Sequence, residues 1–96
     1  MNFQEFQKSL TDNEPSGNFS PLLVALWHDG RGDWRSSHNI VQDIETKEAA
    51  WVHAYLHRKE GDDANARYWY ARAGKKFPKF DLKQEWKEIV DELLNQ

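Results

Sequence analysis

Four histidines supply most of the chemistry that the side chains of this 96-residue chain can offer. His53 and His57 are one helical turn apart, and Glu60 falls on the same face. An i, i+4 histidine pair beside a carboxylate can ligate a divalent metal, since imidazole nitrogen and carboxylate oxygen both suit such ions. His38 sits on the apolar edge of its own segment, beside Trp34, and His28 lies upstream in a related setting. Burial favours the neutral imidazole, the form that a ligand or a general base needs. His28, His38, His53, His57 and Glu60 are therefore one candidate polar site, and with it goes the possibility of a small histidine- or metal-dependent enzyme. The simpler expectation is that these are hydrogen-bonded histidines in a packed seam, or exposed ones. No H-E-x-x-H spacing occurs, so the sequence by itself predicts no metal ligand set and no cofactor.

Other combinations are weaker. Arg58 with Glu60 and Asp62 can grip a ligand carboxylate bidentately, but as a helix-end network it needs no ligand. Asp33 and Asp62 each stand just before a helical segment, which makes them N-caps rather than paired catalytic acids. Ser36, Ser37 and His38 lack the strand-to-helix elbow of a hydrolase nucleophile, and no glycine-rich phosphate loop is present. There is no cysteine, which removes disulfides, thiolate metal sites and a thiol nucleophile.

The elements that must position these groups all read as helices. Phe3, Phe6 and Leu10 mark a short amphipathic helix over residues 2–10, and residues 11–20 are turn formers. Ser20 and Pro21 predict a cap and a first-turn proline for a helix ending at Gly30 or Gly32. Asp33 opens the next, over residues 34–44, and Thr46 opens a third that stops at Gly61. A fourth begins at Asp62 or Asp63 and stops at Gly74. Asp81 with Gln84 predicts a capping box for the last helix, whose stripe is Leu82, Trp86, Ile89 and Leu93, with Val90 and Leu94 beside it. Nothing reads as a strand, so the expectation is one all-α domain over residues 1–96.

Residues 22–33 align with residues 51–62 at an offset of 29, pairing Ala25 with Ala54, His28 with His57, Gly32 with Gly61 and Asp33 with Asp62. Each unit then reads as a helical hairpin, one over 21–44 and one over 46–74. The second unit, EGDDANARYWYARAGKKFP with Ala54 before it, resembles a tetratricopeptide repeat in its Gly-Asp turn, its small Ala66 and Ala73, its Tyr70 and its Pro78. The last helix resembles the capping helix of such arrays. The stretch HAYLHRKEGDDANARYWYARAG also resembles a signature of small uncharacterised bacterial proteins, which implies no function.

The tetratricopeptide resemblance implies two antiparallel hairpins whose first helices line a concave, peptide-binding face. On this chain the face would hold Leu22, Leu26 and Asp29, then Trp51, Tyr55 and Arg58. The aromatics Trp27, Trp34, Trp51, Tyr55, Tyr68, Trp69 and Tyr70 exceed what one seam needs. Because Tyr68, Trp69 and Tyr70 point three ways on a helix, at least one is exposed or at an interface. Tyrosine and tryptophan are common binding anchors. The leading expectation is thus an interaction module for a protein or peptide partner, or for another copy of itself.

A formal charge of −3 and only two short basic clusters argue against a nucleic-acid partner. The N-terminus shows no basic-then-apolar leader, and no run is long enough to span a bilayer, so a cytoplasmic protein without a membrane partner is expected.

Overall fold

A computed structural model describes residues 1–96, and the chain is all-α. Its helices are α1 (Phe3–Lys8), followed by a 3₁₀ turn (Ser9–Thr11), then α2 (Pro21–Gly30), α3 (Trp34–Val41), α4 (Lys47–Lys59), α5 (Asp63–Ala73) and α6 (Leu82–Leu94). None is long and apolar enough to cross a membrane.

Each start has a chemical cause. Side-chain oxygens of Ser20, Asp33, Thr46, Asp62 and Asp81 accept a backbone N–H of the first turn they precede. These bonds satisfy amides that have no partner inside the helix. The box expected at Asp81 is only half made: Asp81 accepts the Gln84 N–H, but the Gln84 side chain, whose Nε2 donates to Glu88, does not accept the Asp81 N–H in return. A complete capping box occurs instead at Asn2 and Glu5. The helix opening at Asp33 is shorter than expected. It ends at Val41, and the Ile44 N–H turns back to the Val41 carbonyl at 3.1 Å.

The offset of 29 residues is visible in the backbone. Gly32 and Gly61 have φ of +85° and +88°, and Asp33 N–H and Asp62 N–H each reach back to a histidine carbonyl, His28 and His57, at 2.9 Å. A side chain at either glycine would strain a left-handed residue, which explains glycine at both turns.

α2 packs chiefly on α3 and α4 chiefly on α5, while α3 also meets α4. α6 lies against α1, α2 and α4 and closes the main core, where Phe6, Leu26, Trp27, Val52, Leu56, Trp86, Ile89 and Val90 are buried. A smaller cluster of Ala54, Ala66 and Tyr70 joins α4 to α5, the alanines letting the backbones approach. At Gly30 α2 comes close to its neighbours, since a methyl there would stand 3.0 Å from Leu10 and Trp86.

Candidate metal centre

Where α3 crosses α4, three imidazoles converge. His38 Nε2 and His53 Nε2 are 3.1 Å apart, and one nitrogen from each of His38, His53 and His57 lies within 4.8 Å of the other two. His53 and His57 come from successive turns of α4, so their rings stack at 4.8 Å. His38 reaches them from the facing surface of α3, edge-on to both rings.

Tryptophans fix the rings from outside. Trp34 lies parallel to the His38 ring at 4.8 Å, and its indole N–H donates to the Leu56 carbonyl at 2.7 Å. Trp69 from α5 lies on the His53 ring at 4.0 Å. Each imidazole is thus held by packing on a rigid element, as a precise site requires.

The third histidine is held by a carboxylate. His57 Nδ1 and Glu60 Oε1 are 2.6 Å apart, so Nδ1 carries the proton that Glu60 accepts and Nε2 is the nitrogen left for a ligand. A carboxylate on the far nitrogen is the usual companion of a metal-ligating histidine, because it sets the tautomer and makes the ring more basic.

Electrostatics favours neutral rings elsewhere in the cluster. Burial, reinforced by His57 and His38, pushes His53 down to about 4. Burial and the charge of His57 likewise lower His38. Near neutral pH these two rings are free of the extra proton and each can offer a lone pair.

One pair of nitrogens already has nearly the spacing of a tetrahedral ion's ligands. Nitrogens each about 2.0–2.1 Å from zinc lie about 3.3–3.4 Å apart in a tetrahedron. The 3.1 Å pair therefore needs to open by only a few tenths of an ångström. Three histidines leave one position for water, which is how water-activating zinc sites differ from closed structural ones. A second group, His57 with Glu60 and Asp62, shares His57, but its two carboxylates are exposed and each already serves the protein, Glu60 on His57 and Asp62 as the α5 cap.

The structure joins some of the expected residues and parts others. His38, His53 and His57 come together, and Glu60 supports them through His57 rather than completing an i, i+4 set. His28 does not join them. It lies at the end of α2 with its ring edge against Trp27.

The face expected to receive a peptide is covered in large part, with Trp51 left partly open. Leu26, Asp29 and Tyr55 are buried, and Trp51 and Arg58 are directed at α6. Tyr55 OH donates to Asp29 Oδ2 at 2.8 Å, and Lys59 Nζ to Asp29 Oδ1 at 2.9 Å. Glu85 of α6, wholly buried, accepts from Trp51 Nε1 at 3.1 Å, Tyr70 OH at 2.6 Å and Arg58 Nη1 at 2.8 Å. Arg58 also donates to the Phe80 carbonyl. Burial raises both tyrosine hydroxyls well above their usual range, so they remain donors. The charged cluster of Arg58, Glu60 and Asp62 does not form: Arg58 turns to Glu85, and Glu60 to His57.

Glu85 and Asp29 were legible as anomalies. Glu85 is three residues after Leu82 and four before Ile89, on the apolar stripe, and Asp29 is three after Leu26. A carboxylate on such a stripe must be paired inside the fold.

No family model, curated protein or solved structure matches the chain.

Proposed function

We propose that this is a small metal-binding helical protein whose centre is His38, His53 and His57, with an open position at which a divalent ion such as Zn²⁺ activates water. The observation that carries it is the convergence of three ring nitrogens within 4.8 Å, one ring oriented by Glu60. Hydrogen bonding alone accounts for one contact between histidines, but not for a third ring with a carboxylate set behind it. Two tetratricopeptide-like hairpins, α2–α3 and α4–α5, supply the scaffold, and the second unit adds the α4 histidines to the α3 one. On the groove that such hairpins offer to peptides, α6 takes up Arg58 through Glu85 and Asp29 of α2 takes up Tyr55, which weighs against a peptide partner on the Tyr55 and Arg58 side of that face.

Thermal melts with EDTA, then with Zn²⁺, Co²⁺ or Ni²⁺, test the reading. An ion at 100 times its dissociation constant adds about 2.7 kcal/mol, which for a domain of this size raises the midpoint by roughly 10–20 °C. The rise should vanish in a His53→Ala/His57→Ala variant. No rise with any of the three ions, or an equal rise in the variant, would overturn the proposal.

A further inference from the structure

The loop between α5 and α6 carries a second, separate feature. Residues 75–80, KKFPKF, hold three lysines and no acid in a chain whose net charge is −3. Lys75, Lys76 and Lys79 are exposed, and none takes part in the ion pairs of the fold, which use Arg58, Lys59, Lys87 and His57. Around them is a cavity of about 390 Å³ walled by Trp51, Phe77 and Phe80. Phe80 is 41% exposed, where only Met1 and Tyr68 among large apolar side chains are comparably open. Lys75 Nζ stands 4.1 Å from the centre of the Trp51 ring, holding a cation over the aromatic floor.

The loop is fixed in place. Arg58 ties the Phe80 carbonyl to the buried Glu85, and Tyr70 meets the Phe77 ring edge-on at 5.3 Å. The one buried carboxylate on the cavity wall, Glu85, is neutralised by Arg58. Charge is distributed unevenly along the rim. Lys76 and Lys79 lie on the loop side, whereas Glu88, with Asp91 and Glu92 beyond it, lines the α6 side.

We infer that this cavity docks an acidic segment of a partner protein, placing one aromatic or aliphatic side chain against Trp51 and Phe80. The segment's carboxylates lie against Lys76 and Lys79 and away from α6. Charge complementarity selects the occupant: an apolar slot with unpaired lysines on one flank and carboxylates on the other accepts an apolar residue preceded or followed by acids, but not flanked by them on both sides. The site is independent of the metal centre.

The test is fluorescence anisotropy in EDTA, using a labelled peptide with an acidic run next to Phe-Leu and a counterpart with a lysine run. The acidic peptide should bind, more weakly as salt rises, and the lysine peptide should not. Lys76→Glu/Lys79→Glu should weaken binding by about tenfold or more, since reversing charges at an interface acts repulsively. Phe80→Ala should weaken it as well, with the helical signal and melting midpoint of both variants close to the parent. Equal binding of the two peptides, an undiminished affinity in the charge-reversed variant, no binding up to about 1 mM, which would leave less than about 4 kcal/mol of association free energy, or displacement of the peptide by a tighter-binding single-stranded oligonucleotide would each overturn the inference.

Discussion

His38 and His53 bring like nitrogens, Nε2 to Nε2, within 3.1 Å across the contact of α3 with α4. A hydrogen bond at that distance requires one ring to donate and the other to accept, so the accepting ring cannot take a second proton without leaving two N–H groups face to face. The contact between the helices is therefore coupled to proton uptake.

The metal-free protein should lose stability in mild acid. His53 titrates near 4 in the fold and near 6.5 when unfolded, so between those values the unfolded chain binds more protons and stability rises with pH. The contribution is complete above about pH 6.5 and is lost as pH falls towards 4, by roughly 3 kcal/mol at most. Urea melts in EDTA between pH 7.5 and pH 4.5 should show a falling midpoint, and His53→Leu should flatten that fall. A midpoint that is independent of pH would refute the coupling.

Glu60 should act on the metal through His57 alone. Replacing the outer carboxylate of a ligating histidine typically weakens metal binding about 10–100-fold. Titration calorimetry of Glu60→Gln with Zn²⁺ should show a loss of that order, and the metal-free melt should change little. An unchanged affinity would mean that Glu60 does not orient a ligand.

Glu85 should matter far more to stability than its place on a charged last helix suggests. It accepts from Trp51, Tyr70 and Arg58 while fully buried. Glu85→Ala leaves a half-buried guanidinium and a buried hydroxyl without their acceptor, a loss of about 3 kcal/mol or more. Denaturant unfolding would measure it, and a change below about 0.5 kcal/mol, the range of ordinary surface substitutions, would contradict the network.

The two repeat-related turns should respond alike. Gly32→Ala and Gly61→Ala each force a left-handed backbone on a residue with a Cβ, at about 1 kcal/mol apiece, with no neighbouring atom to clash with. Equal small losses in thermal melts would match the shared geometry. A large loss at only one would show that the turns differ.

Much of the fold could be read from the chain. Ser20, Asp33, Thr46, Asp62 and Asp81 announce their helices because a cap is a local bond, made within three residues. The stripe Leu82, Trp86, Ile89 and Leu93 marks the inner face of α6 because helical period alone decides it. The partners across the fold were another matter. The spacing of His53 and His57 signals a shared face on α4, but the third imidazole arrives from α3, fifteen residues before His53, through packing that no period encodes. Trp51, Tyr55 and Arg58 follow one another on α4 at steps of four and three residues, yet which body covers that side depends on where α6 lands. His28 shared a repeat position with His57 without sharing its surroundings, because α2 and α4 have different neighbours.

The buried carboxylate of α6 also orders events during synthesis. Trp51, Arg58 and Tyr70 are made before Glu85, their common acceptor, and Trp86 must still bring its indole N–H back 60 residues to the Leu26 carbonyl. A nascent chain that has reached α5 already carries both repeat turns, all three converging histidines and the buried Tyr55–Asp29 pair, but not the acceptor that Trp51, Arg58 and Tyr70 share. Completion waits for the last helix, and until it docks the chain offers the translation machinery's chaperones and proteases an open flank.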